Sequence, residues 1–528
     1  MATRWCGTAR WLSRPAARWL SSPATTRLGT AGAARWLGRA GAAAAVLLCL
    51  AGCPGAGRPG PLPADAPPGT GGPLPGGPAL PTRPASSGPA VPDGRSAPVR
   101  DPVYPQYGSP DVDVLHYALD LAWDPAARLL SGVATLTVRA VTDLTAVALD
   151  LSPAYAVDTA TADGAAVTAT HRGEDLVVPL PRPLARDATA RVAVSYRGSP
   201  APVPFPGTRQ DVTALGLRPM PDGALWTMQE PYGAFTWYPC SDQPSDEARY
   251  DISVTVPEGW TGVANGRLAG ESDQGDRRTF RWQAAEAMPT YLVTMAVDRF
   301  ERHAATGPGG LPVTYWVRPQ DAARMLPTLS QSPRLLSWLE QRLGRYPFAS
   351  AGVVVVQGTS GMETQTMVTL GPLTGPQAEP VLLHEYAHHW FGDSVTPRTW
   401  QDLWLNEGFA TYLQGLYAVE RREVSLAGLV AQWRRVDAEQ RAAAGPPGRY
   451  RPDRFGARNV YVGPALMLHE LRRRLGDPVF FALLHDWAQH HRHTQQDRAS
   501  FTAWLRAYTG QDLAPVVDRW LDSSTTPA

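Results

Sequence analysis

The chain has 528 residues, 44% of them hydrophobic and 18% charged, which is enough for more than one buried core and too apolar for a disordered protein. Lys is absent, and residues 1–53 hold seven Arg with no Asp or Glu. The remainder carries 42 Arg against 48 acidic residues, a net of −6, which does not suggest a nucleic-acid partner.

The N-terminal end reads as an export signal. Residues 40–52 form an apolar run of 13 behind Arg39, the length of a signal-peptide core and too short to cross a bilayer as a helix. Leu50-Ala51-Gly52-Cys53 resembles a bacterial lipobox, whose Cys becomes the lipidated first residue of the mature chain. The expectation is a signal peptide over 1–53 and an extracytoplasmic envelope lipoprotein touching the membrane only through Cys53; an ordinary cleaved signal or a buried helix are the alternatives. Residues 54–100 are rich in Pro, Gly, Ala and Ser, cannot offset their ordering entropy by burial, and are expected to form a tether. Of Cys6, Cys49, Cys53 and Cys240, only Cys240 would then remain a free thiol, which leaves no internal disulfide.

From 101 to 302 the pattern has period two. His116–Trp123, Gly132–Val141, Arg191–Tyr196, Tyr250–Val256 and Tyr291–Val297 read as half-buried strands separated by Pro, Gly and Asp. This predicts an all-β, sandwich-like domain without parallel βαβ units. From 303 to 528 one strand, Gly352–Gln357, stands between helical segments, and beyond 379 the pattern is almost wholly helical. Helices are expected from Pro380 to Phe391, from near Trp404 through Tyr417, and over about 463–475, 479–490, 499–508 and 512–521. The chain is therefore multidomain, with an all-β domain followed by an α+β domain and with a monomer as the default.

Within His384-Glu385-Tyr386-Ala387-His388 the two histidines sit at i and i+4 on one helical face and can converge on a metal ion. Glu385 lies beside them, placed to take a proton from attacking water rather than to bind the metal. Glu407, at the start of the next helix and 19 residues beyond His388, is the candidate third ligand, leaving the fourth zinc position open. The neighbouring His389 lies about 100° further round the helix and is expected to pack or face solvent. His490, His491 and His493 have poor spacing for one metal and read as a solvated helix end. One edge strand before such a helical half is what a thermolysin-like catalytic domain requires. These residues alone specify a zinc hydrolase and leave open an endopeptidase, an aminopeptidase or a binding lipoprotein on the same fold.

Four segments in order carry a closer resemblance. Gln229–Pro244 with Ala248-Arg249-Tyr250, then Gly361-Met362-Glu363, His384–Asp393 and Trp400–Tyr412 together resemble the M1 family of zinc aminopeptidases, gluzincins that include aminopeptidase N and leukotriene A4 hydrolase. The likeness covers roughly 101–525. It implies one zinc ion per chain and peptide substrates with a free N-terminus. It also implies that Glu363, with Gly361 and Met362 in the exopeptidase motif, binds the substrate's α-amine, and that Glu230 shares this task. Tyr461 matches the family's tyrosine that hydrogen-bonds the oxyanion. Ser360 and Thr364 replace the first Gly and last Asn of the exopeptidase motif, and Gly463-Pro464 replaces the Lys-Gly that usually follows the tyrosine. The resemblance has no counterpart of the C-terminal helical domain of longer members, so a more open cleft is expected.

Overall fold

The structure, a computed structural model, describes residues 94–528. The signal and lipobox reading of 1–53 and the tether reading of 54–93 lie outside the described residues. The end of the expected tether is not a tether. Ser96 donates its amide to Asp113 at 3.1 Å and its hydroxyl to the Glu247 carbonyl at 3.2 Å, while the Val99 amide donates to Ser245 at 3.0 Å. Composition shows too little apolar surface here to order the chain, but polar partners 17 to 151 residues away supply what burial does not.

The N-terminal half is built on an eight-stranded sheet. Its order runs Arg267–Gln274, Arg277–Pro289, Glu247–Pro257, Val112–Asp124, Leu129–Ala140, Thr189–Gly198, Tyr155–Ala162 and Ala165–Val167. Alternation decides its inner face: Tyr117, Leu119, Leu121 and Trp123 are all at most 2% exposed, one residue apart. Its neighbours are antiparallel except Val112–Asp124 beside Glu247–Pro257, which run parallel. A smaller sheet of Leu144–Asp150, Asp175–Leu184 and Thr170–Arg172 and a five-stranded sheet through Ala214–Pro219 and Leu225–Met228 complete it. The expected strand Tyr291–Val297 is corrected. Thr290–Leu292 is a 3-10 turn and only Met295–Asp298 is strand, because Gln229 draws in the carbonyls of Thr290 and Val293.

In the other half the single expected strand belongs to a mixed five-stranded sheet, ordered Glu301–Thr306, Pro312–Val317, Ala351–Val355, Val368–Leu370 and Gly361–Met362. Pro312–Val317, Ala351–Val355 and Val368–Leu370 are parallel, and Gly361–Met362 closes the edge antiparallel. The edge strand is thus Gly361–Met362, while Ala351–Val355 is central and wholly buried. The helices Pro319–Leu329 and Ser332–Leu343 make the crossover between the first two parallel strands. The helix Leu426–Ala444 has no place among the predicted ones. Its buried stripe includes Asp437 and Arg441, paired at 2.7 Å with neither side chain exposed, so an apolar period does not reveal it. No helix among the described residues is long and apolar enough to cross a membrane.

Candidate active site

The helix Ala378–His388 is buried except at Glu379, and in the turn that follows it Gly392 takes φ 133°. That turn aims the Phe391 carbonyl at His388 Nδ1, 3.1 Å away, and a Cβ at residue 392 would stand 3.4 Å from the same nitrogen. The proton then sits on Nδ1 and leaves Nε2 free to bind a metal. The Nε2 atoms of His384 and His388 lie 3.1 Å apart. Glu407, in the first turn of the helix Trp404–Glu420, brings Oε2 to 3.3 and 3.5 Å from them. A tetrahedral ion bound at about 2.0–2.1 Å separates its ligands by about 3.3–3.4 Å, so this triangle fits zinc with a fourth position open. Burial pushes Glu407 up, but the adjoining imidazoles of His384 and His388 outweigh it and hold the carboxylate below its ordinary range.

Glu385 lies with Glu363 and His388 in a second buried group whose polar atoms fall within 4.8 Å of one another. Burial raises Glu385 to about 8, raises Glu363, and lifts Glu230 well above the usual carboxylate range, with the charge of Glu363 adding to the last. Glu363 follows the edge strand Gly361–Met362, of which Met362 is buried. A Cβ at 361 would stand 2.3 Å from Glu385 Oε1, so any side chain there would have to push the Glu385 carboxylate aside. Glu230 comes from the other half of the chain. It is held through Gln229, which donates to the Thr290 and Val293 carbonyls at 2.6 and 2.7 Å and accepts from Trp237 at 2.9 Å. One oxygen each of Glu230 and Glu363 is buried without a hydrogen-bond partner.

The helix expected from about 463 begins at Asn459, and Tyr461 occupies its first turn. Its ring stacks on His384, 6.3 Å between centroids and 13° between planes. The two helices that carry Glu407 and Tyr461 approach so closely that a Cβ at Gly408 would stand 2.3 Å from Pro464. The other histidines stay out of the site. His389 is fully buried, with Nδ1 at 2.8 Å from the Tyr346 hydroxyl. The solvated reading of His490, His491 and His493 is corrected, because all three are half-buried against Trp504, Trp487 and Phe348. Cys240 is free and buried.

The model of the peptidase M1 N-terminal domain matches residues 113–292, and that of the peptidase family M1 domain matches 329–520, with the metal triangle inside the second. The chain belongs to peptidase family M1. An M1 zinc metallopeptidase from Deinococcus radiodurans superposes with a TM-score of 0.72 at 29% identity, covering 81% of this chain and 98% of its own. A mutant from the same organism, bound to a Tyr-Ser-Ala substrate, gives 0.71 at 29% identity over the same shares. Human glutamyl aminopeptidase is 30% identical over 206 residues, 36% of this chain and 22% of the relative. Leukotriene A-4 hydrolase of Xenopus laevis is 26% identical over 345 residues, 61% and 55%. The chain thus matches between a fifth and about half of the length of these two curated relatives.

The departures from the M1 pattern have physical roles. Thr364 bonds Thr369 at 2.9 Å, which bonds Thr294 at 2.9 Å, which bonds Thr227 at 3.0 Å, so a chain of buried hydroxyls ties the exopeptidase motif to the N-terminal half. Gly463 gives close passage to the Asp437–Arg441 pair, since a Cβ there would stand 2.7 Å from Asp437 Oδ1. Ser360 meets a residue that sequence reasoning missed. Arg209 reaches both Ser360 and Tyr461, at 2.9 and 3.2 Å. Its neighbours in sequence, Pro206-Gly207-Thr208 and Gln210-Asp211, form no motif, and nothing in them points to an active site some 250 residues away.

Proposed function

We propose that this M1 family member is a zinc aminopeptidase that releases the first residue of peptides with a free N-terminus. The observation that carries the reading is the pair Glu230 and Glu363, each with a buried oxygen lacking a partner, beside the triangle of His384, His388 and Glu407. Burying two carboxylates together is costly unless a cation answers them, and an ammonium group brings three donors. An α-amine held there sets the first peptide bond against Glu385. When bound, zinc polarises the scissile carbonyl and lowers the pKa of the attacking water. Glu385, raised by burial toward neutrality, takes the proton from that water and passes it to the leaving amine. Tyr461, kept neutral by burial, donates to the carbonyl oxygen as charge develops on it.

The relative bound to Tyr-Ser-Ala, and two-domain M1 metallopeptidase mutants bound to L-tryptophan and L-arginine, support short peptides as the substrate class. A peptide and its N-acetylated twin, assayed with and without a chelator, test the reading. The free peptide should be shortened by one residue in a chelator-sensitive way and the blocked one left intact. Equal cleavage of both would make the protein an endopeptidase.

The proposed location is the outside of the cytoplasmic membrane, with Cys53 lipidated; the apolar run 40–52 and the lipobox support it. Cys53→Ala should move the protein from the detergent phase to the aqueous phase, and unchanged partition would exclude the anchor.

A further inference from the structure

The stretch that follows the short strand Val203–Pro204 leaves the N-terminal half and ends inside the active site. At its end Arg209 is held by three groups. Nε and Nη2 pair with the two carboxylate oxygens of Asp211 at 3.2 and 2.6 Å, and Nη2 also donates to Ser360 Oγ at 2.9 Å. Ser360 closes the ring by donating to Asp211 Oδ2 at 2.8 Å. The other arm, Nη1, donates to the Tyr461 hydroxyl at 3.2 Å. The stretch is also docked on the segment leading into the tyrosine's helix. The Phe455 amide donates to the Pro206 carbonyl at 3.2 Å, and a Cβ at Gly207 would stand 2.5 Å from the Phe455 carbonyl oxygen.

We propose that Arg209 is the positioning residue of Tyr461, holding the phenol so that its one proton points at the oxygen of the scissile carbonyl. This rests on the reading of Tyr461 as the oxyanion donor. A phenol has a single O–H and can donate or accept, whereas a guanidinium can only donate. With Nη1 occupying a lone pair of the phenol oxygen, the phenol's own proton must be given elsewhere: in this structure Glu407 accepts it, and with substrate bound the scissile carbonyl would take its place. The fork of Asp211 fixes the guanidinium plane, which a flexible ammonium would not allow. Ser360 matters for the same reason: the Gly usual at this position has no hydroxyl to close the ring. Because Ser360 adjoins Gly361 and Glu363, one clamp ties the oxyanion side of the cleft to the amine side.

The test is a double-mutant cycle of Tyr461→Phe and Arg209→Met on the zinc-loaded protein. It reads kcat and KM separately, zinc content, and the dissociation constant of a phosphinic pseudopeptide that mimics the tetrahedral geometry. Tyr461→Phe should lower kcat about 100-fold. Arg209→Met should lower it about 10- to 100-fold, with zinc retained and KM within about two-fold. The double variant should be no worse than Tyr461→Phe, since both changes remove one function. The phosphinate should weaken in parallel in all three. Multiplying effects would overturn the proposal, as would a loss confined to KM on peptides with a free C-terminal carboxylate, which would make Arg209 a substrate ligand. Full activity of Tyr461→Phe would instead overturn the reading of the tyrosine itself. Arg209→Met leaves Asp211 without its partner, so Arg209→Met/Asp211→Asn is made alongside and carries the cycle if the single variant does not fold.

Discussion

At the metal corner of the cleft, His384, His388 and Glu407 come from two successive helices and face one another at 3.1 to 3.5 Å. At the corner proposed to hold the substrate's amine, Glu230 comes from the N-terminal half and Glu363 from the edge of the catalytic sheet, and each keeps a buried oxygen without a partner. The first is a product of helical spacing within a short stretch of chain. The second exists only when two halves dock. Asn265 stands at that junction, donating to the carbonyls of Leu292 and Gln365 at 2.8 Å each and accepting from the Thr294 amide at 2.6 Å. The two corners should therefore fail separately: metal binding should survive damage to the junction, while the grip on the substrate's amine should not.

The largest effect is expected at Glu385. Glu385→Gln should keep its zinc and lose kcat by about 1,000-fold or more, because it removes proton transfer and leaves the ligands alone. Residual turnover near the parent level would show that the base is another group. A smaller loss, about 10- to 100-fold in kcat/KM, is expected for Glu363→Gln, and less for Glu230→Gln. Zinc content should stay unchanged in both, and selectivity for free over N-acetylated peptides should narrow. Intact selectivity in both variants would remove these carboxylates from amine binding. The smallest effect on activity is expected for Asn265→Ala. It should cost about 1–3 kcal/mol in denaturant unfolding by stranding buried backbone groups, and raise KM a few-fold with zinc retained. Loss of zinc before any change in KM would break the separation of the two corners.

The same contrast explains what could be read beforehand. Strands such as Val112–Asp124 were legible because one face is buried and the side-chain period is two. The mixed catalytic sheet was not, since Ala351–Val355 is buried on both faces and shows no alternation, and Gly361–Met362 is too short to show any. The helix Leu426–Ala444 was hidden by the charged pair in its buried stripe. Tyr461 is legible through its motif, but the helix expected from about 463 begins at Asn459, so the tyrosine sits in its first turn rather than ahead of it.

By itself the sequence determined the metal chemistry: two histidines and a glutamate set by helical geometry, with a second glutamate between the histidines. It also brought the family resemblance that singled out Glu230, Glu363 and Tyr461. Only the tertiary structure decided how these meet. It showed that a Cβ at 361 would collide with Glu385, and that hydroxyls at 364, 369, 294 and 227 bridge the two halves. It also brought Arg209 to a tyrosine 252 residues further along. The physical reason is range. Helical spacing is a local property written in neighbouring residues, whereas a hydrogen bond between distant segments depends on packing that no short pattern encodes.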